Sequence, residues 1–245
     1  MEYSYWEKPD ERLISHIVFA WQEAFGDEEE YIRSFISSSF YRGCFFAADG
    51  DRAVSFVHLT SPTEDERFVY GYGVSTLKEY RGRGLCRELH KRIFATCLEK
   101  YSVYGVHPAS EGLADLYRSM GMKPSSYRYY SLVEGDGGKY YPISTGEYSF
   151  MRSVYSEGVS GEWLSAGEYV TVGFELEGTE CAACLSDGVI VELLAPPQLE
   201  GMAARRVASV YGRARLMSLC DSPVGAECAL MTYNGYKTDF SLFNE

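Results

Sequence analysis

The residues with most chemical content in this 245-residue chain run from Val74 to Arg87: Val-Ser-Thr-Leu-Lys-Glu-Tyr-Arg-Gly-Arg-Gly-Leu-Cys-Arg. Between Lys78 and Arg92 stand six basic side chains (Lys78, Arg81, Arg83, Arg87, Lys91, Arg92) and two acidic ones (Glu79, Glu88), a cationic island in a chain of net charge −12. The change of hydrophobic period puts this island at the entrance to a helix, where unpaired amides and the dipole disfavour cations by roughly 0.3–1 kcal/mol each. A bound anion reverses that sign. Gly82 and Gly84 remove side chains where the backbone would approach a ligand, so successive N–H groups can converge on phosphate oxygens. The plainer alternative is a glycine-rich turn with solvated arginines. Two other phosphate motifs are set aside. Gly82-Arg83-Gly84-Leu85-Cys86-Arg87 has arginine where a dinucleotide-binding G-x-G-x-x-G needs its last glycine, and no Gly-Lys-Ser/Thr occurs for a P-loop.

The elements that position this segment are legible from periodicity. Leu13, Ile14, Ile17, Val18, Trp21 and Phe25 recur at helical spacing until Gly26-Asp27, and Asp27 is expected to cap a second helix with Tyr31, Ile32, Phe35 and Ile36 on its apolar face. Strands follow at Cys44–Ala48 and Ala53–Leu59, joined by the hairpin signal Asp49-Gly50-Asp51. A polar loop through Glu64-Asp65-Glu66 leads to a strand from Phe68 to Val74. Leu85–Lys100 reads as a helix packed on the sheet through Cys86, Leu89, Ile93 and Cys97, and Tyr101–Val106 as a short strand. Ser110 can cap a helix carrying Leu113, Leu116, Tyr117 and Met120, which Gly121 ends. After a strand at Tyr127–Val133, Glu134-Gly135-Asp136-Gly137-Gly138 is the most linker-like stretch and is the expected domain boundary. Beyond it are expected a helix at Glu147–Tyr155, strands near Tyr169–Glu175, Glu180–Leu185 and Val189–Leu194, a helix near Leu199–Tyr211, and strands at Arg215–Leu219 and Ala226–Tyr233. That order resembles the first half and fits a degenerate duplication. The final Tyr233-Asn234-Gly235-Tyr236 reads as a turn, with Phe240, Leu242 and Phe243 as a docking tail.

Composition narrows the function. With 46% hydrophobic and 24% charged residues the chain folds, and 23 Lys and Arg against 35 Asp and Glu repel nucleic acid and anionic lipid. No long apolar run and no basic leader is present, so a soluble, cytoplasmic protein is expected. The seven cysteines (Cys44, Cys86, Cys97, Cys181, Cys184, Cys220, Cys228) are odd in number and unevenly spaced, which argues for reduced thiols inside strands. Cys181, Cys184, Cys220 and Cys228 as a thiolate zinc set is the less favoured alternative, and no metal is expected.

Arg81-Gly82-Arg83-Gly84-Leu85-Cys86, preceded by Val74-Ser75-Thr76 and Tyr80, resembles the acetyl-CoA-binding R/Q-x-x-G-x-G/A motif of the GNAT acetyltransferase superfamily. Cys86 replaces the final small residue. Downstream, Ser110 to Met122 resembles the family's helix that ends in leucine, tyrosine, variable residues and Gly-Phe, with Ser110 for asparagine and Met122 for phenylalanine. The resemblance covers roughly residues 10 to 133. It implies an α/β (α+β) fold with a splayed mixed sheet flanked by helices and acetyl-CoA as co-substrate. It also implies a strand around Val74 and Thr76 that hydrogen-bonds the pantetheine, a pyrophosphate held by Arg81, Gly82, Arg83, Gly84, Cys86 and Arg87, and direct transfer to an acceptor amine. Tyr117, an ordinary phenol with a pKa of about 10, is then the candidate acid for the departing thiolate. The general base stays open among Tyr70, Tyr72, His58, Glu64, Asp65, Glu66, Glu111 and a water chain, while His90 and His107 read as structural.

The expectation is therefore an acyl-CoA-dependent N-acyltransferase, acetylating a primary amine on a small molecule or peptide. Residues 1–134 form the catalytic domain. Residues 139–245 form a smaller, degenerate α/β half of duplicated topology that lacks a cationic glycine turn. A non-catalytic acyl-CoA-binding or regulatory module is the rival, favoured by the missing carboxylate in Phe68–Val74. The sequence carries no signal for the acceptor, the acyl length or the oligomeric state.

Overall fold

The computed structural model describes residues 1–63, 67–155, 159–220 and 226–233, without the side chains of Cys97, Leu98, Tyr155 and Cys220. Glu64, Asp65, Glu66, the turn after Tyr233 and the tail with Phe240, Leu242 and Phe243 lie outside the described residues. Chain contacts divide the protein into two compact units, one formed by Met1–Lys123 with residues 231–233, the other by Pro124–Leu230.

The first unit has strands β1 (Glu2–Trp6), β2 (Tyr41–Asp49), β3 (Arg52–Thr60), β4 (Phe68–Thr76) and β5 (Val103–Val106), hydrogen-bonded in that order. Neighbours from β1 to β4 run antiparallel, and β4 and β5 run parallel. A parallel pair needs a crossover, which α3 (Leu85–Lys100) supplies. Helix α1 (Glu11–Phe25) begins where the Asp10 carboxylate accepts from the Leu13 amide at 2.8 Å. It ends at Gly26, whose φ of 83° closes the last turn onto Gln22. Its inner face (Leu13, Ile17, Val18, Trp21) and that of α2 (Glu29–Ser37; Ile32, Phe35, Ile36) are buried. Each such side chain contributes about 1.5–3 kcal/mol before entropy is counted.

Asp27 does not cap α2, contrary to the sequence expectation. Glu28 holds the cap position without a side-chain bond, and the Asp27 carboxylate accepts from the buried Trp21 indole at 2.7 Å. An indole N–H removed from water needs an acceptor, and a charged one outweighs an exposed cap. Helix α4 (Glu111–Arg118) starts at Ser110, whose side chain accepts from Leu113 as anticipated. Past β5, residues 231–233 add an antiparallel strand to this unit, and Tyr233 stacks on Phe94 at 4.0 Å.

From Pro124 the second unit takes up β6 (Lys123–Glu134), then runs β7 (Tyr141–Pro142), α5 (Thr145–Tyr155), α6 (Gly161–Ala166), β8 (Val170–Leu176), β9 (Thr179–Ser186), β10 (Val189–Leu194), α7 (Glu200–Ala208), β11 (Arg213–Cys220) and, as far as Leu230, the first part of β12 (Glu227–Tyr233). From β7 to β11 this repeats the series β1 to β5: two helices after the first strand, three antiparallel strands, one helix, then a parallel partner. The duplicated topology expected from the element order is present. Among the described residues no helix lies between β11 and β12, the place α4 takes in the first unit.

Its core gathers Val172, Phe174, Leu185, Ile190, Ala203 and Val207. Beneath α5 a buried trio replaces apolar packing. Glu192 accepts from the Tyr148 hydroxyl at 2.6 Å and from Arg152 Nε at 2.8 Å, which compensates a carboxylate taken out of water. The glycine-rich stretch at 134–138 is fastened to α7 and its C-terminal side. Gly135 donates to Gly212 O at 2.9 Å, Asp136 to Arg205 O at 3.1 Å, and Gly137 to Ser209 Oγ at 2.9 Å.

Candidate active site

The site is built where two paired strands cease to be paired. β4 and β5 share the register Phe68 with Val103 to Gly71 with Val106, and among the described residues β4 then continues alone on that side to Thr76. On its other side, Ser75 pairs with Phe56 and Tyr72 with His58, so Gly73 and Val74 together face Val57 alone. That is a β-bulge, which bends the strand and re-aims its backbone groups. Gly73 has φ 55°, and a Cβ there would lie 2.9 Å from the Trp21 ring and 3.1 Å from His58. The strand therefore requires glycine at this point. Two glycines inside one strand, Gly71 and Gly73, are the sequence signal for this close approach, and hydrophobic periodicity does not register them. Val74 and Thr76, both half-buried, lie on the freed segment, where Thr76 is held by Ser55 through paired hydroxyls at 2.8 Å.

The chain then turns through Lys78–Tyr80 into the cationic bend. Gly82 and Gly84 have φ 75° and 77°, and among the described residues nothing lies within 4 Å of where a Cβ would stand on either. Residues 81–84 are exposed, and among the described residues the amides of 82–87 meet no acceptor. The bend is thus uncovered, with several N–H groups unengaged at the mouth of α3. The three arginines are each tied to the chain. Arg81 donates to Thr76 O at 3.0 Å, Arg83 to Glu79 O at 2.8 Å while lying 4.6 Å over the Tyr80 ring, and Arg87 to Ser119 O and Oγ at 3.1 and 2.9 Å.

Tyr117, on α4, is 3% exposed. Its ring lies 5.4 Å from that of His90 on α3, and its hydroxyl makes no hydrogen bond among the described residues, yet is not among the sealed, unpartnered polar atoms. Burial, with the Cys86 thiol as a second cause, pushes this phenol up from its ordinary value, so it keeps its proton at neutral pH. Cys86 is pushed up to about 11, chiefly by burial, which leaves it a thiol. Its sulfur lies 3.6 Å from His90 Nδ1, within hydrogen-bond reach for sulfur.

His90 is a buried strut. Nδ1 lies 2.9 Å from Cys86 O and Nε2 lies 3.1 Å from the Tyr104 hydroxyl on β5, and burial holds it down to about 4. Gly71 makes room for that Tyr104 hydroxyl, which a Cβ there would overlap. His58 is also sealed and neutral, held to about 3 by burial, with Tyr41 Oη at 3.1 Å from Nδ1. Of the other base candidates, the Tyr70 hydroxyl accepts from the His107 amide at 3.2 Å, Tyr72 lies 3.4 Å from the Tyr31 hydroxyl, and exposed Glu111 pairs with Arg118 at 2.7 Å. Among the described residues no group of three His, Cys, Asp or Glu is placed to hold a metal ion, and no helix is long and apolar enough to cross a membrane.

Comparison with known proteins fits this geometry. Residues 6–122 match the profile of the acetyltransferase (GNAT) family. No curated protein matches the chain. Among solved structures, a conserved protein of unknown function from Enterococcus faecalis V583, described as a probable N-acyltransferase, aligns with a TM-score of 0.70 at 14% identity over 95% of this chain and 72% of its own. A GCN5-related N-acetyltransferase from Kribbella flavida gives 0.59 at 16% identity, over 95% and 70%. A tandem GNAT protein from the clavulanic acid biosynthesis pathway gives 0.58 at 11% identity, over 97% and 99%. At these identities the structures are alike in fold.

Proposed function

Because the first unit of this chain belongs to the GNAT acetyltransferase family, we propose that the protein is an acetyl-CoA-dependent N-acetyltransferase acting on a primary amine of a small molecule or peptide. The catalytic domain is proposed to lie in residues 1–134, completed by residues 231–233, and the rest of 139–245 to be a degenerate copy without a phosphate site: in the second unit the matching connection, between β10 and α7, is Ala195-Pro196-Pro197-Gln198-Leu199, which has neither glycine nor cation. The observation that carries this reading is the uncovered Gly82–Gly84 bend beside the freed segment of β4. The amides of Gly82 to Arg87, Cys86 included, are proposed to hold the diphosphate, with Arg81 and Arg83 adding positive potential. Backbone groups around Val74 and Thr76 take the pantetheine amides.

In the proposed reaction the amine nitrogen attacks the thioester carbonyl, the C–N bond forms and the C–S bond breaks. Tyr117 gives its proton to the departing thiolate, and the proton lost by the amine returns to the phenolate through water. The products are CoA and an acetamide. An acidic chain with many tyrosines suits a cationic acceptor. Free thiols at Cys44, Cys86, Cys181, Cys184 and Cys228 suit a reducing, cytoplasmic setting, and the charge of −12 does not suit a nucleic-acid partner.

A panel of amines assayed for acetyl-CoA-dependent thiol release tests this reading. Acceptor-dependent release supports it. Stabilisation by CoA on heating without release from any amine favours the second reading, a binding module, which the lack of a carboxylate in Phe68–Val74 recommends.

A further inference from the structure

We propose that the Arg87 side chain is a positioning group that holds Tyr117 in place by clamping the last turn of α4, an inference that rests on Tyr117 being the proton donor. A cation in the first turn of a helix opposes that helix's dipole. Arg87 finds its compensation on another element. Its fork reaches the C-terminal end of α4, where one nitrogen donates to Ser119 O at 3.1 Å and the other to Ser119 Oγ at 2.9 Å. There the dipole favours a positive charge and carbonyls need donors. Of the three arginines around the bend, Arg81 and Arg83 serve their own loop, and Arg87 alone reaches α4.

The turn it holds contains Tyr117. Ser119 donates to Asp115 O at 3.0 Å, and the Tyr117 carbonyl accepts from Met120 at 3.0 Å and from Met122 at 3.2 Å. A helix of 8 residues does not persist on its own strength, so this turn depends on tertiary restraints. α3 supplies two of them, one helical turn apart: the Arg87 fork on Ser119 and the His90 ring against Tyr117. Since the Tyr117 hydroxyl makes no hydrogen bond among the described residues, its place is set by the packing of its ring on His90 and by the backbone that Arg87 fixes. The arginine thereby joins the helix that carries the diphosphate amides to the helix that carries the donor. Its main-chain amide serves the cofactor; its side chain serves Tyr117.

The experiment compares wild type, Arg87→Ala, Arg87→Lys, Tyr117→Phe and the Arg87→Ala/Tyr117→Phe double variant in steady-state turnover, CoA titration calorimetry and amide hydrogen exchange of residues 113–122. Arg87→Ala is expected to lower kcat about 10- to 100-fold, the cost of a misplaced catalytic group, with the CoA dissociation constant within about threefold. Arg87→Lys should restore only part of the rate, because one ammonium replaces a planar fork that meets two acceptors. In the Tyr117→Phe background the further loss should be under about threefold, since residues acting as one unit are not additive. Without CoA, exchange at Met120 and Met122 should be faster in Arg87→Ala. Multiplying losses overturn the clamp, as does unchanged exchange. So does a tenfold weaker CoA affinity with kcat retained, which would put the guanidinium on the diphosphate instead. If wild type acetylates no amine, the enzymatic reading fails by itself, and the exchange comparison still decides whether Arg87 holds α4.

Discussion

Replacing Tyr117 by phenylalanine removes one oxygen from a side chain that is 3% exposed. The ring remains packed 5.4 Å from His90, and no partner is orphaned because the hydroxyl has none among the described residues. Folding stability should therefore stay within about 1 kcal/mol of wild type. The rate should not. A positioned proton donor is worth about 10²- to 10⁴-fold, roughly 3 to 5 kcal/mol of barrier. Release of CoA thiol, followed with a chromogenic thiol reagent at saturating acetyl-CoA, measures that loss directly. Cys44, Cys181, Cys184 and Cys228 are buried, and a blank without acceptor amine subtracts what the other cysteines contribute. CoA affinity, titrated separately, should be near wild type. A kcat that does not change refutes the role, and so does a fall in kcat matched by a large fall in melting temperature, which would make the hydroxyl structural.

Three further outcomes are expected. Gly84→Val forces a branched side chain into φ 77°, a conformation that costs about 1–2 kcal/mol, and distorts the amide cradle; CoA should bind at least about tenfold more weakly by calorimetry, and undiminished affinity contradicts the cradle. His90 is held to about 4 against an ordinary 6.5, so between those values the unfolded chain binds the extra proton. Stability from this group is complete above about pH 6.5 and is lost as pH falls toward 4, by roughly 3 kcal/mol. Urea midpoints at pH 7.5 and 4.5 should differ less in His90→Gln, and an equal difference would remove His90 as a source. A chain cut after residue 138 loses residues 231–233, which pair with β5, and the Tyr233 ring stacked on Phe94. Size-exclusion chromatography should show aggregation, because a bare strand edge recruits other chains, whereas a monomer with wild-type melting would contradict the assignment of that strand.

The strand-to-helix bend and the helix bearing Tyr117 were readable because each depends on local rules: glycines where φ is positive, a serine cap, apolar residues at helical spacing. The hairpin at Gly50, with φ 57°, and the helix end at Gly26 follow from the same chemistry. Features set by distant neighbours were not readable. Asp27 looked like a cap until the buried Trp21 indole claimed it. Short β1 and β7 and the six-residue α6 carry too little periodicity to stand out. That residues 231–233 finish the first unit could not be known from the strand's own alternation, since nothing local names a partner more than a hundred positions away. Arg87 was visible as a cation at the wrong end of a helix, but Ser119 as its acceptor was not.

In the proposed enzyme the exposed amides at the mouth of α3 grip a diphosphate. Calorimetric titration of the full chain with CoA, and in parallel with pantetheine, which carries the same thiol arm without the diphosphate, tests it most directly. CoA should bind with pantetheine at least about 100-fold weaker, a difference of roughly 3 kcal/mol. Equal affinities for the two, or no binding of CoA at all, would rule out a diphosphate cradle at this bend.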